Sequence, residues 1–536
     1  MQRRSILKGL LSGAAMATGA IKPGLADAGV FRHGVASGDP TSNSIILWTR
    51  LSVEPAERSL PVSWQIASGR DMRQKIASGH TSADASGDFT VKVDAGNLPA
   101  GRTLFYRFSA SGEKSMIGRT KTLPDGTVSS LSFAVVSCAN YPAGFFHVYR
   151  EIANRDDLDA VLHLGDYIYE YGMGEYATDR AQQLDRIPEP LHETLTLADY
   201  RLRHAQYKRD PDSQAMLASL PLIAVWDDHE IANDAWRGGA ENHRGDEGDW
   251  AARRNAAIQA YFEWMPIRGS AAGGATRIYR DFRWGDLASL IMLDTRLIGR
   301  DPQPYIGENV NEETILAALQ DPERRLLGRA QEEWLRQSLR ASTDTTWQII
   351  GQQVMVTELK TADLEPLVDI DKPSTLPRER LLDIVRQSKQ SSPYLFDTWD
   401  GYPLARDGFL ADLEQLAANP VVLSGDLHTS LAANICRAGI GTPVTVEYMA
   451  SSVTSPGFSE YLPDKYPNAV RDGTLEINPA LQYLETTARG WLCLRLTPER
   501  CTGEWHLING IFERNYRSWR DKTLTVHAGE ISKGLR

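Results

Sequence analysis

The sequence predicts an α/β domain that carries the chemistry, preceded by a smaller all-β sandwich. Three observations lead there. Residues 29–125 read as short alternating runs separated by turn residues, the period of half-buried strands. After a Pro/Gly-containing linker, dense apolar runs alternate with helical segments, the pattern of a layered α/β domain. Finally, those apolar runs end one after another in Asp, His, Cys and Tyr.

Residues 1–28 are expected to be an address rather than a fold. Arg3 and Arg4 are followed by Ile6-Leu7-Lys8 and a mildly apolar Gly/Ala-rich run to Ile21, too short and too weakly apolar to span a bilayer. Ala26-Asp27-Ala28 is a cleavage signal of the A-x-A kind. The paired arginines resemble the twin-arginine export signal, with an ordinary secretory signal as the alternative. The expectation is a periplasmic or secreted protein passed through the twin-arginine translocation machinery, with no stable membrane anchor. Cleavage after Ala28 removes Arg3, Arg4, Lys8, Lys22 and Asp27, which takes the formal net charge from -11 to -14.

In the segment 29–125, Ser44 to Thr49, Val62 to Ile66, Phe89 to Val93 and Leu104 to Phe108 are the expected strands. Asn97 to Gly101 before the Tyr106 strand resembles the corner of a fibronectin type III sandwich. No catalytic constellation lies here; the reading is a scaffold, with carbohydrate or surface contact as the alternative. The linker Thr122 to Thr127 leads into an expected catalytic domain over 130–511, with helices over Tyr141 to Asn154, Thr196 to Lys208, Trp250 to Met265, Pro322 to Arg340 and Asp407 to Ala418. Residues 512–536 lack clear periodicity and are expected to form an extension over that domain, where Arg514, Tyr516, Arg517, Trp519 and Arg520 would narrow access to a site.

Composition removes several classes of function. With 58 Lys+Arg against 69 Asp+Glu, 24% charged and 42% hydrophobic residues, the 536-residue chain can bury a large core and lacks the basic field that nucleic-acid binding needs. Its four cysteines contain no CxxC pair, so neither a zinc ribbon nor a disulfide scaffold is expected. Cys436, Cys493 and Cys501 sit in or beside apolar runs and are read as packing. A monomer is expected.

The strand ends carry the chemical signal. One run ends in Ser137-Cys138-Ala139-Asn140, the next in Gly165-Asp166-x-x-Tyr169, the next in Asp227-Asp228-His229-Glu230; later ones end in Asp294, in Gln352-Gln353 and in Gly425-Asp426-Leu427-His428. In open α/β sheets, ligands bind outside the carboxyl ends of the strands. Carboxylates, imidazoles, amides, a phenol and a thiol delivered to one edge are poorly explained by packing and suit two or more cations held close together, with Asp166 as a bridge. A phenolate from Tyr169 and a thiolate from Cys138 require a strongly Lewis-acidic ion, which points to Fe(III), while the oxygen-rich second position suits a harder divalent ion. His163, one residue before Leu164, alternates into the layer and is read as structural.

Taken together, Gly165-Asp166-x-x-Tyr169, Asp228-His229-Glu230 and Gly425-Asp426-x-His428 resemble the metallophosphoesterase motifs of purple acid phosphatases. With Gly34 to Pro40, Ser137 to Asn140, Trp226 to Glu230 and Trp399 to Pro403, the set is similar to the alkaline phosphatase D (PhoD-type) family over nearly the whole mature chain. The resemblance implies a four-layer αββα metallophosphoesterase domain behind the sandwich, Fe(3+) accompanied by Ca(2+), and hydrolysis of phosphomonoester and phosphodiester substrates. It makes Tyr169 and His428 iron ligands and Asp166 the bridge. Cys138 stands where purple acid phosphatases use an aspartate, Asp228 where the wider superfamily has Asn, and Asp426 where it has His. The last two exchanges favour calcium over zinc at the second site. Asn140 and Gln353 complete the candidate ligands.

The implied mechanism is in-line attack by water activated between the ions, without a covalent intermediate. His229 is assigned to phosphate contact or leaving-group protonation, with Asp227 or Glu230 orienting its ring. Arg406, six residues after Asp400, is the candidate phosphate clamp. An exported phosphatase/phosphodiesterase is the leading reading. A phospholipase D-like diesterase on the same scaffold and a non-enzymatic surface protein with structural metals are the alternatives. A zinc or manganese nuclease is disfavoured by the acidic charge and by Cys138 and Tyr169.

Overall fold

The computed structural model describes residues 29–53, 59–269, 277–304, 312–360, 362–366, 382, 385, 388, 395–457, 460 and 467–536; the expected signal peptide, 1–28, lies outside them. The first strands are β1 (Val35–Gly38), β2 (Ile45–Arg50), β3 (Ser59–Ala67), β4 (Lys75–Asp84), β5 (Thr90–Ala95), β6 (Thr103–Ala110), β7 (Glu113–Lys114) and β8 (Gly118–Lys121). There follow β9 (Leu131–Val136), β10 (Ala160–His163), β11 (Pro221–Ala224), β12 (Arg280–Trp284), β13 (Ala288–Met292), β14 (Trp347–Gly351) and β15 (Pro420–Ser424). The chain closes with β16 (Ser430–Ile435), β17 (Thr445–Met449), β18 (Leu481–Glu485), β19 (Arg489–Leu496), β20 (Arg500–Ile508) and β21 (Ser518–His527).

Among the described residues these strands form three sheets. The largest runs β21-β20-β19-β9-β10-β11-β1-β2-β5 and the second β12-β13-β14-β15-β17-β16-β18. In both, the central strands (β9, β10, β11; β13, β14, β15, β17) are parallel, so their carboxyl ends lie at the same edge. The third sheet holds β4-β3-β6-β7, with β8 paired to β6.

Alternation along the second sheet shows how it is sandwiched. Leu290, Met292, Ile349, Val421 and Leu423 belong to the core shared with the nine-stranded sheet, while Ile291, Leu293, Ile350 and Val422 pack with Leu335 and Leu339 of the helix Arg329–Ala341 and with Phe409 and Leu413 of the helix Pro403–Leu416. Period-two side chains thus give one face to the opposite sheet and the other to helices. Trp505 of β20 locks the two sheets: its Nε1 donates to the Met449 carbonyl at 2.9 Å, and its ring lies 4.7 Å from that of Tyr483. An isolated parallel bridge between Ser137 and Ser452 joins the sheets at the edge where the parallel strands end.

Three expectations are corrected. The segment 29–125 packs two layers of strands around a core of its own, but one layer is not closed off: β1 pairs in parallel with β11, and β1, β2 and β5 extend the nine-stranded sheet across the expected boundary at Asp125, while β3, β4 and β6 to β8 form the other sheet. Pairings between strands about 185 residues apart leave no trace in local periodicity. Residues 512–536 are not an extension without regular structure: Phe512, Arg514 and Tyr516 lie against Arg180, Phe145 and His147, and β21 pairs antiparallel with β20 from Arg500↔His527 to Ile508↔Ser518 as the sheet's outer strand. Helices begin later than expected in two places, at His147 rather than Tyr141 and at Arg329 rather than Pro322.

Candidate metal centre

The carboxyl ends of β9, β10, β11 and β15 bring Cys138, Asp166, Asp228 and Asp426 within reach of one another, and the tight turns there demand unusual backbone. Cys138, Asp166, Asp426 and His428 all have positive φ, between +54° and +67°, a conformation L-residues adopt at a cost. Two glycines make these turns fit. A Cβ on Gly165, whose φ is +116°, would meet the Asp227 Cβ at 2.4 Å, and one on Gly425 would meet the Ser137 Oγ at 2.5 Å. That is the physical content of the two Gly-Asp pairs.

Donor atoms fall into overlapping groups, each within 4.8 Å internally, the two main ones being Cys138 with Asp166 and His428, and Asp166 with Asp227, Asp228 and Asp426; His229 groups with Asp166 and Asp228. Asp166 belongs to both. In the first group the Tyr169 hydroxyl lies 3.0 Å from Asp166 Oδ2 and 3.1 Å from His428 Nε2, and Ser455 Oγ reaches it at 2.7 Å. His428 Nδ1 lies 2.8 Å from the Pro456 carbonyl, which fixes the tautomer with Nε2 bare and facing the group. Burial pushes the Cys138 thiol and the Tyr169 phenol well above their ordinary ranges, with Asp166 adding to both, and holds the His428 imidazole down at about 3. These groups are neutral until a cation supplies the missing charge.

The second group is a pile of carboxylates. Burial, with Asp227 among the neighbouring charges, raises Asp166 and Asp426 well above the usual carboxylate range, and burial lifts Asp227 to about 6. Asp228 goes the other way: burial alone would raise it, but Arg296 and His229 hold it below its ordinary value. Fully buried Arg296, following β13, sits at the centre of this half. Its Nε bonds Asp227, its Nη1 lies 2.7 Å from both oxygens of Asp397, and its Nη2 is 3.2 Å from Asp228 Oδ1 and 3.5 Å from Asp426 Oδ1. Asp234 and Asp397 form a further group with Asp228. None of Arg296, Asp397 and Asp234 was among the candidates from sequence. Arg296 carried one signal, its place two residues after Asp294 at a strand end.

The ring of His229 is oriented by Glu170, not by Asp227 or Glu230. Glu170 Oε2 lies 2.8 Å from His229 Nδ1, and Oε1 is itself held by Asn233 N at 2.7 Å and Asn242 Nδ2 at 3.1 Å. Asp227 is taken by Arg296, and the Glu230 carboxylate accepts the backbone N–H groups of Asp166, Tyr167 and Asp227, stitching β10 to β11. Burial would lower His229, but Glu170, Asp228 and Asp166 outweigh it and raise the imidazole well above its ordinary value. Tyr169 stacks on that ring at 4.2 Å.

The other sequence candidates are placed as follows. Asn140 is buried, and neither its Oδ1 nor its Nδ2 has a hydrogen-bond partner. Gln353 is buried, its amide engaged by Thr295 and the Leu293 carbonyl. Arg406 pairs at 2.9 Å with both Asp400 and Glu358. His163 is structural, its Nε2 2.9 Å from the Tyr149 hydroxyl. Cys493 and Cys501 are buried, whereas Cys436, expected to pack, is exposed.

The residues fit a group of cations. A thiol, a phenol, an imidazole and four carboxylates converge, and the buried amide of Asn140 and one oxygen of Asp228 lack hydrogen-bond partners. Comparison with known proteins agrees in kind. The family model described as PhoD-like phosphatase matches residues 133–505, and that of the PhoD-like phosphatase N-terminal domain matches 17–124. The chain is similar to alkaline phosphatase D of Bacillus subtilis (strain 168), 34% identical over 497 residues, covering 90% of this chain and 78% of that one. It is also similar to a solved structure titled "Structure of PhoD", with a TM-score of 0.80 and 31% identity over 95% of this chain and 92% of that one.

Proposed function

From membership of the PhoD-like phosphatase family, to which the chain belongs as a phosphoric ester hydrolase, we propose that it is an exported, metal-dependent phosphatase/phosphodiesterase using one trivalent and at least one divalent cation. The observation that carries this reading is the position of Asp166, a member of both donor groups at the edge where the two sheets meet. Cys138, Tyr169, His428 and Asp166 would hold iron; Asp166, Asp228 and Asp426, with Asn140 beside them, would hold calcium. When bound, the cations would acidify a water and neutralise phosphoryl charge.

The chain's own residues do the rest. Glu170 keeps His229 protonated with its Nδ1 engaged, leaving Nε2 to donate to the departing ester oxygen. Glu230 holds the turns of Asp166 and Asp227 in register, and Ser455 and Pro456 set the Tyr169 hydroxyl and the His428 ring. Gln353 and Arg406 support neighbouring loops in this reading. Among the described residues no helix is long and apolar enough to cross a membrane, and Arg3, Arg4 and Ala26 to Ala28 support export by the twin-arginine route.

The test is hydrolysis of a chromogenic phosphomonoester and its matched diester by the purified mature protein, before and after chelation and with calcium added back. Calcium-restored turnover is expected. Failure on both substrates by protein that retains its metals would overturn the reading.

A further inference from the structure

The guanidinium of Arg296 is engaged unevenly. Nε and Nη1 make hydrogen bonds to Asp227 and Asp397, but Nη2 makes none, and neither does the Asp228 oxygen 3.2 Å from it. The half of the guanidinium that faces Asp228 and Asp426 is therefore present as charge and not as a bonded fork. Those are the carboxylates proposed above for the divalent ion, so this inference rests on that reading. Asp397 is held independently by Arg300 and does not depend on Arg296 for its place. The arginine is fully buried, so solvent does little to screen its charge from a cation entering beside it.

We propose that Arg296 is a built-in counter-cation of the oxygen-rich half: it holds Asp227, Asp228 and Asp426 together before loading and, by sharing Asp228 and Asp426 with the incoming ion, keeps the affinity for a divalent cation low. Loading is then a partial exchange. Nη2 gives up its share of two carboxylates while Nε and Nη1 keep theirs. Four carboxylates around a single arginine would otherwise destabilise the unloaded fold, since buried charges without partners are costly.

The experiment is calorimetric titration of Ca(2+) into the full mature protein, iron retained and labile divalent ions removed, with melting temperature read in the unloaded and loaded states. Arg296→Gln removes the charge at similar volume. It is expected to tighten calcium binding at least about fivefold and to lower the unloaded melting temperature more than the loaded one. Arg296→Lys keeps the charge and loses the fork, and its affinity is expected within about twofold of the wild type. Calcium binding by R296Q that is unchanged or weaker overturns the proposal and makes Arg296 a scaffold for the ligands. Should R296Q fail to fold, R296K decides: a lysine that weakens calcium binding several-fold overturns the proposal, because the charge is still there. A wild type that binds no calcium fells the second-site reading and this inference with it, an outcome distinct from a wild type that binds and a variant that does not tighten.

Discussion

The two halves of the centre meet at Asp166 and are built on opposite principles. In the half around Cys138, Tyr169 and His428, burial holds the thiol, the phenol and the imidazole uncharged, and Tyr169 is held to Asp166 and His428 by hydrogen bonds of 3.0 and 3.1 Å. The half around Asp227, Asp228 and Asp426 is crowded with carboxylates and carries its own cation, Arg296. Neutral soft donors wait for an ion acidic enough to deprotonate them, while hard charged oxygens need a counter-charge even to fold. Two unlike metals therefore suit one site: burial alone keeps the donors of one half neutral, whereas the other half adds a guanidinium to carboxylates that burial has already raised.

Breaking each half separately is the largest test of this division. Cys138→Ser should lose visible charge-transfer absorption and iron content yet keep calcium-induced stabilisation, whereas Asp426→Asn should keep the colour and lose the calcium response. Both should cost about a hundredfold or more in turnover. Metal analysis and melting temperature with and without calcium check the split, and a variant that loses both metals together would show that the halves are one cooperative unit.

A smaller effect is expected at Glu170, which belongs to no donor group and acts through His229. Glu170→Gln should lower kcat/KM about ten- to a hundredfold with both metal contents unchanged. The pH dependence has a definite sign. Glu170 raises the proton affinity of His229, so removing its charge lets the ring deprotonate at lower pH, and the alkaline limb of the rate profile should move toward neutrality. A limb that stays in place would assign it to another group.

What the sequence disclosed follows the same line. The strand-end motifs were legible because each ligand lies within a few residues of a buried run: Gly165-Asp166, Asp228-His229 and Gly425-Asp426-x-His428 are local patterns. Glu170 was passed over although it adjoins Tyr169, since its partner His229 is 59 residues away and a Glu after a Tyr has no signature. Arg296 and Asp397 meet across 101 residues, the latter from a stretch without periodicity. The same limit hid β1, which joins the catalytic sheet through β11 although its own residues look like part of a separate domain.

The smallest predicted effect contrasts the centre with Lys208, a buried amine that has no carboxylate partner among the described residues. Lys208 is fully buried, its Nζ 3.0 Å from the Tyr167 hydroxyl and 3.7 Å from Met265 Sδ, over the rings of Tyr167 at 4.3 Å and Trp48 at 5.3 Å. Among the described residues no carboxylate pairs with it, and His33, His163 and His204 nearby are themselves held neutral by burial. Burial lowers Lys208 to about 7. In the unfolded chain its amine keeps a proton up to about 10.4. Between those values the unfolded state binds more protons than the folded one, so stability rises with pH there, by up to about 1.4 kcal/mol per pH unit. Below about 7 both states are charged and the folded one bears the full penalty. Lys208→Met removes the titrating group at similar length: it should stabilise the protein at pH 6, do little at pH 10, and flatten the slope between, all without changing turnover. Urea unfolding at pH 6, 8 and 10 reads this directly. A variant that loses stability equally at all three would mean that the lysine's bond to Tyr167 outweighs the cost of its charge, and that the core around it, like the oxygen-rich half, depends on a buried cation.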